Sequence, residues 1–559
     1  MTSLLRSNVV VAAGTALSRI TGLGRVIAFG YVIGQNALAD AYRIGNETPN
    51  IVYELLLGGV LSATLVPLFT SFDERDDEES RNVVVTVTLA AVAALTLVAV
   101  VAAPAIFELY TLTPSNDVDA EQLRRVGTLL TRVFLLQILF YGATGVANAL
   151  LNSRRRFFAA AWSPILPNVI IIASLLSLPE PAGDGWQLSD VLDSNRVRWT
   201  LGLGATAGIA AMALVLAPAI RRAGIRIRPR LRLRHPAVRR LVALSGWTLG
   251  YVVANQIVIV VVRNAAGPGS GDASAYFDAY TFFVLPHGLL AMSIATTFVP
   301  IMARAVARGD RTRFTSQASL GIRLITLLTL PAGVALFVLR RPIVGALLQH
   351  GDYAAGDALN TSRALAGFAL GLVGFSVYLF ALRGFYAHQD TRTPFVINVV
   401  QCALNIVFAL TLFGRYGVLG LGTAFAASYI VCALWALQVL SFKVPGFPLR
   451  EVLVNGARMV TAAVVSGEVM WIVAEQVGGN VGISAVARVA AGGLAGVAVY
   501  VAVLSVLGAP ELSTLWRRLP GRRGLADPTE PSPRPAAGSG ADTDTVPSRA
   551  AGWAGTDDH

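Results

Sequence analysis

The sequence predicts an all-α integral membrane protein of about fourteen transmembrane helices, and three observations carry that prediction. Apolar residues make up 54% of the 559-residue chain and charged residues only 14%, against about 25% charged in soluble domains. Windows of roughly 20 or more apolar residues recur along it, each long enough to cross about 30 Å of hydrocarbon as a helix. Basic residues gather in alternate loops. A single soluble core is excluded.

The windows run from about 9 to 33, 49 to 72, 82 to 110, 124 to 151, 159 to 178, 199 to 220, 241 to 263, 274 to 303, 317 to 339, 362 to 386, 394 to 413, 417 to 441, 452 to 476 and 483 to 508, with those at 274 and 362 the least sharply bounded. The first is too long for a cleaved signal peptide and passes any small-residue cleavage site, so it is expected to stay as a helix. From about Pro520 the chain turns to Pro, Ala, Gly, Ser, Thr and Asp, a composition that cannot bury a core and predicts a disordered cytoplasmic tail over 511–559.

Loop charge sets the orientation. Arg154, Arg155 and Arg156, nine arginines between Arg221 and Arg240, then Arg304, Arg308, Arg311 and Arg313, then Lys443 and Arg450 all fall on one side. The opposite loops are poor in bases: Thr111 to Gln122 carries Asp117, Asp119 and Glu121, and nothing basic follows Arg263 before Ala275. Arg43, Arg196, Arg198, Arg340 and Arg341 are exceptions too few to reverse the bias. Both termini are therefore expected in the cytoplasm, in a multi-pass cell-membrane protein. The net charge of +12 follows largely from this bias, so anionic lipid rather than nucleic acid is the expected neighbour. Arg221 to Arg240 reads as an ordinary basic inner loop, with an interfacial anchor as the alternative. The acidic run Asp73 to Glu79 reads as a solvated face.

An internal repeat organises the spans. Leu61-Ser-Ala-Thr-Leu-Val-Pro-Leu-Phe69 resembles Ile294-Ala-Thr-Thr-Phe-Val-Pro-Ile-Met302 at an offset of 233, and Tyr141 to Asn168 resembles Tyr378 to Asn405 at nearly the same offset. Six spans per unit is an even number, so both copies enter from one side, a parallel repeat with a substrate site expected between the halves. The expected divisions are 1–225 and 226–442 for the two six-helix units, 443–510 for helices 13 and 14, and 511–559 for the tail.

Within this frame, Arg19 and Arg25 are the costly residues: each would lose a few kcal/mol at mid-bilayer, which implies a water-filled cavity or an anionic partner. Six residues apart, they differ by about 120° around an ideal helix, and Gly22 and Gly24 between them invite a bend that would bring both to one cavity. Asp40 follows the first span, and Glu47 and Glu54 flank Pro49-Asn50. Glu54 sits in an apolar helix, where Arg25 or Arg43 could offset its charge. Arg263 closes the seventh span, as a boundary or a site residue. His235, His287, His350 and His388 lack metal-ligand spacing, and no nucleophile elbow lies near them, so neither a metal site nor catalysis is expected. His287 is expected to be held by a neighbouring backbone group. Cys402 and Cys432 read as small buried residues.

Ser18-Arg19-Ile-Thr-Gly22-Leu-Gly-Arg25, Asp40-Ala41, Pro49-Asn50, Val66-Pro67, Phe385-Tyr386-Ala387, Asp390-Thr391-Arg392-Thr393-Pro394 and Asn405 together resemble the MurJ (MviN) lipid II flippases of the MOP exporter superfamily, and the arginine-rich, almost lysine-free usage points to an actinobacterial type. The resemblance spans roughly residues 1 to 510. It implies a fourteen-helix transporter without cofactor that exports the undecaprenyl-linked peptidoglycan precursor by alternating access, driven by membrane potential or a coupling ion, with cell-wall synthesis proteins as partners. It also implies that Arg19 and Arg25 bind the headgroup and that Asp40 and Asn50 lie near the same gate. The chain departs from the family at Tyr53, Glu54 and Leu57-Gly58-Gly59, and at Thr281, where relatives carry arginines. Arg43 or Arg263 would have to supply the charge. The eleventh span offers Asn398 and Asn405 but no carboxylate for a sodium site.

Guanidinium groups suit a pyrophosphate through paired, charge-assisted hydrogen bonds, and each negative charge moved outward releases about 2.3 kcal/mol per 100 mV. An exporter of another polyprenyl-linked saccharide fits the same residues, as does a non-transporting scaffold of the cell-wall machinery. A membrane glycosyltransferase would need acidic metal-binding loops, which the sequence lacks. The last two spans are expected either to form a groove for the lipid tail or, through Gly492 and Gly496, to pack closely.

Overall fold

A computed structural model describes residues 2–53, 65–154, 156–181, 183 and 185–508, and all secondary structure among them is helical. Glu54, the segment Leu57-Gly58-Gly59 and the tail lie outside the described residues. The first six predicted spans correspond to α1 (Thr2–Ile33), α2 (Ala37–Tyr53) with α3 (Val66–Glu74), α4 (Glu78–Val101) with α5 (Ala103–Leu109), α6 (Ala120–Leu135) with α7 (Gln137–Ser153), α8 (Phe157–Trp162) with α9 (Ile165–Leu176), and, after the short α10 (Leu188–Asp193), α11 (Asn195–Arg222). The next six correspond to α12 (Pro236–Ala265), α13 (Asp272–Pro286) joined by a π-turn at His287–Ala291 to α14 (Met292–Ala307), α15 (Arg311–Val338), α16 (Arg340–Leu347) leading into α17 (Ala355–Leu370) with α18 (Leu372–Ala387), α19 (Arg392–Tyr416) and α20 (Val418–Lys443). Two more, α21 (Leu449–Gln476) and α22 (Gly482–Val506), complete the described chain.

Eleven helical stretches among the described residues are long and apolar enough to cross a membrane, twelve if α17 and α18, bent by 47°, form one span. Of the remaining expected spans, that at 49–72 includes residues 54–64, outside the described set, and that at 241–263 falls within α12. The breaks have local causes. Pro104 opens α5, and Pro164 precedes α9, each removing a backbone donor where a helix would otherwise continue. At the bend, a β-carbon on Gly371 would stand 2.6 Å from Cα of Ala426, so only glycine lets α20 come this close. Gly367 and Gly422 face each other across the same contact.

Packing pairs recur along the chain. Among the first six spans α1 lies on α9, α2 on α6, α4 on α7, α7 on α11 and α9 on α11; among the next six α12 lies on α19, α13 on α17, α15 on α18, α17 on α20 and α19 on α20. Beyond them α22 packs on α21, where the Ser466 hydroxyl donates to the Gly496 carbonyl at 2.6 Å and a β-carbon on Gly492 would meet Met470 and Ala474. The Gly492 and Gly496 spacing thus serves close helix packing. Cys402 and Cys432 are buried free thiols.

The ends of the bundle are termed distal, where α1 finishes, and proximal, where α2–α3 finishes. At the proximal end the acidic run is not a merely solvated face. Asp73 accepts two hydrogen bonds from Arg154 at 2.8 and 2.9 Å and one from Ser153, while Glu79 pairs with Arg230 and Arg232. The acids fasten other proximal loops, an attraction between distant segments that local charge density cannot reveal. Between α18 and α19, Asp390 accepts from Lys443 at 2.7 Å and from the Thr393 hydroxyl and amide. Against the upward push of partial burial, these donors hold its carboxyl down at about 2. The folded group titrates below its free value, so its stabilisation is fully present above about pH 4 and is lost as pH falls toward 2. Thermal unfolding of the purified protein should therefore show a smaller drop between pH 5 and pH 3 in Asp390→Asn than in the parent, by the equivalent of roughly 1 kcal/mol for this half-exposed pair.

Candidate functional site

At the distal end the first six spans meet the next six through polar contacts. The loop Gly267-Pro268-Gly269-Ser270-Gly271 runs into the N-terminus of α13, with Gly269 and Gly271 at φ +97° and +86°, in the left-handed region open to glycine. Their backbone amides turn inward and donate to Asp40 Oδ2 at 2.8 and 3.0 Å, while the Ser274 amide and hydroxyl donate to Oδ1 at 3.0 and 2.6 Å. Asp40 is fully buried, and its four donors all come from the α12–α13 loop and the first turn of α13, where orphan amides and the helix dipole favour an anion. A carboxylate so satisfied is a clamp between the halves; it offers nothing to an anionic ligand. The glycine-rich loop opening a helix was the sequence signal for this site.

One turn further in, Arg43 reaches across to α13. It pairs with Asp278 at 2.6 and 3.1 Å, donates to the Ser274 carbonyl at 2.9 Å and lies over the Phe29 ring. Asp278 also accepts from the Tyr353 hydroxyl at 3.2 Å, and Gln35 donates to Tyr353 and Thr361 at 2.6 and 2.7 Å. Asn264 fastens the other flank, accepting from the Leu112 amide at 2.6 Å and donating to the Leu109 carbonyl. Asp278, Gln35 and Tyr353 escaped sequence reasoning, although a carboxylate inside the apolar run of the eighth span was visible there.

Below this seal lies a cavity of about 110 Å³ whose lining includes Arg25, Arg43, Glu47, Asn50, Asp278 and Thr281. Tyr141 donates to Asn50 Oδ1 at 2.6 Å, fixing the amide at the wall. Arg43 is committed to Asp278, whereas Arg25 makes no side-chain hydrogen bond or ion pair among the described residues. Arg263 approaches from α12. It is 4% exposed, its three side-chain nitrogens have no hydrogen-bond partner among the described residues, and its guanidinium lies over Phe277 at 4.6 Å and Tyr110 at 5.2 Å. Phe277 lines the cavity, and Glu47 is the carboxylate that faces both Arg263 and Arg25.

Arg19 does not share this cavity. α1 continues as a helix through Gly22 and Gly24, which face Asn168 and Ile172 of α9 and serve close packing rather than a redirecting break. Asn168 donates to the Ser18 carbonyl and Thr21 hydroxyl, locking that contact. Arg19, on the proximal side and exposed, rests its guanidinium on Gly288 of the π-turn, where a β-carbon would stand 3.0 Å from it. Arg383, which the sequence reading missed, lies nearby, bonded to Met292 Sδ at 3.2 Å. His287 is held by the Ser376 hydroxyl at 2.9 Å rather than by a backbone group. Among the described residues no cluster could hold a metal ion. The site therefore has two basic levels on one helix, Arg25 beneath the distal seal and Arg19 deeper toward the proximal end.

A family model described as "Lipid II flippase MurJ" matches residues 29–490. The chain is 29% identical over 534 residues to a probable lipid II flippase MurJ of Rhizobium meliloti (strain 1021), covering 92% of this chain and 96% of that one. It is 27% identical over 520 residues to a probable lipid II flippase MurJ of Vibrio cholerae serotype O1, covering 90% and 96%. Its fold is similar to a solved "Lipid II flippase MurJ, inward closed conformation", with a TM-score of 0.74 at 22% identity over 90% of this chain and all of that one. An inward-facing multidrug resistance MATE transporter of the MOP superfamily is similar at a TM-score of 0.62 and 14% identity.

If the Asp40 clamp closes the distal end, Asp40→Asn should open it, since the amide nitrogen cannot accept where donors converge and each buried donor left unsatisfied costs about 1–3 kcal/mol. A cysteine placed at Thr281 should then react several-fold faster with a membrane-impermeant thiol reagent added from the distal side; an unchanged rate would refute the clamp.

Proposed function

The chain belongs to the MurJ family of lipid II flippases, and from that membership we propose how its cavity carries an anionic headgroup. It is a multi-pass membrane protein of a transporter family whose substrate is lipid II, the lipid-linked precursor of peptidoglycan. The observation that carries the mechanism is Arg25, which lines the cavity, together with the Arg263 guanidinium laid over the lining ring of Phe277; among the described residues neither bonds a carboxylate. A pyrophosphate would take the place of that missing partner.

In this reading the proximal end is cytoplasmic, as are both termini, because the arginine-rich loops lie there. The headgroup enters past Arg19 and Arg383, moves to Arg25, and draws Arg263 off its aromatic bed. Glu47 and Asp278 limit how tightly the anion is held, so that it can leave when the clamp opens. Residues 1–225 and 226–442 act as the two moving halves, which the recurrence of the packing pairs supports. Membrane potential biases export by about 2.3 kcal/mol per charge per 100 mV, and neither a cofactor nor a catalytic residue enters the scheme. Cell-wall synthesis proteins, which consume the exported precursor, are the partners this reading proposes.

The test is depletion of the native protein with rescue by variants, following lipid II in the inner leaflet. Arg25→Ala, normally inserted, should leave export at least tenfold slower, and full rescue by Arg19→Ala/Arg25→Ala would sink the model in favour of a scaffold. Arg263→Met separates function from structure. Removing an unbonded buried cation should leave thermal stability unchanged or raise it by about 1–4 kcal/mol, while export falls. Rescue by this variant at normal rate would make Arg263 a packing residue.

A further inference from the structure

A second basic recess lies away from the central cavity, on the distal flank between α6 and α11. It measures about 710 Å³, and its lining includes Arg124, Arg125, Thr128 and Arg132 of α6 and Arg198 and Trp199 of α11, with Glu121 its one carboxylate against four arginines. Arg124, Thr128 and Arg132 follow at four-residue intervals, which places them on one helix face over about 12 Å. Arg124, Arg125 and Arg132 make no hydrogen bond or ion pair among the described residues, and all three are exposed. Arg198 is fixed at the rim by bonds to the Val191 and Leu192 carbonyls and Asn195, so its charge is held in place rather than free to swing away.

The floor of the recess is tight. Gly202 of α11 fits against Val133, and the Thr206 hydroxyl donates to the Val133 carbonyl at 3.0 Å, so the helices touch here and diverge above. Past this level, exposed leucines take over: Leu136 and Leu139 continue the α6 side, and Leu203 continues the Trp199 face of α11. A cationic recess with an indole at its edge and an apolar surface deeper in the bilayer has the polarity of one phospholipid molecule, headgroup outward. Clustered arginines also run against the charge bias that keeps this end of the bundle poor in bases, and an unpaired guanidinium at a lipid-facing position is costly without an anion.

We propose that this recess binds an acidic phospholipid of the distal leaflet, with its phosphate between Arg124, Arg132 and Arg198 and its acyl chains along Leu136, Leu139 and Leu203. The site is separate from the cavity that carries the exported headgroup, and it does not depend on the transport reading. An occupied recess would tie α6 and α11 together on the half that α2 and its clamp residues pack against.

Native mass spectrometry of the full-length chain, titrated with phosphatidylglycerol, tests this. The parent should retain phosphatidylglycerol over phosphatidylcholine, and Arg124→Gln/Arg132→Gln should weaken that retention roughly tenfold or more. Arg124→Lys/Arg132→Lys should keep most of it, and Arg308→Gln/Arg313→Gln, which removes the same charge from the exposed proximal ends of α14 and α15, should leave it unchanged. Millimolar inorganic phosphate should not displace the lipid. Equal retention by the glutamine pair, equal loss from the Arg308 and Arg313 pair, or displacement by phosphate alone would each overturn the proposal.

Discussion

The buried contact between Asp40 and the amides opening α13 is the constraint on which the rest of the site depends. A carboxylate moved out of water must recover its lost hydration from the protein, and here four donors within 3.0 Å supply it. The donors come from one half and the acceptor from the other, so the seal exists only while the halves are together. The main apolar cores are arranged differently. One draws its buried residues from the first six spans and another from α12, α13, α19 and α20. Ile259 and Val260 of α12 pack against the first, and Ala237 and Val238 of α12 join smaller clusters with the first six spans, so the halves also share apolar contacts away from the seal. A polar seal suits a gate because water can replace its bonds on opening, whereas parting an apolar interface would expose surface at about 25 cal/mol per Å².

The charges below the seal are graded. Arg43 is neutralised by Asp278 and therefore belongs to the gate as much as to the cavity. Arg25 lies in the fields of Glu47 and Tyr42, and Arg263, without a hydrogen-bond partner among the described residues, lies over two rings within the field of Glu47. Cation–π contact offsets part of the desolvation of a guanidinium but satisfies none of its five N–H donors. The Arg263 guanidinium thus holds unfilled donor capacity among the described residues. An anion that met it would add bonds without breaking any strong ones, the condition under which binding energy is not consumed by rearrangement.

The helices were legible in the sequence because apolar windows record the solvent of each segment, and the bundle needs little else to place them. The breaks at Gly371 and the π-turn were not, since they depend on what another helix presents at that height. Arg25 and Arg19 were recognisable as costly residues, but their separation was not: it follows from Gly22 and Gly24 being used for contact with α9. Asp40 was visible as a charge at a span edge, yet its role came from a glycine loop more than 200 residues away.

The departure from the family at Thr281 acquires a physical answer. Thr281 and Phe277 are four residues apart on α13 and so share a face, and both line the cavity. The resemblance to the family implies a guanidinium on that face in relatives. Here the face presents an aromatic ring and a hydroxyl, and the guanidinium of Arg263 is laid over the ring from α12. Arg43 cannot fill the same role, because Asp278 already claims it. We propose that Arg263 brings the positive charge to the same wall from a different helix, with the ring holding it back from solvent. A charge delivered this way can advance toward an anion and return to the ring when the anion leaves.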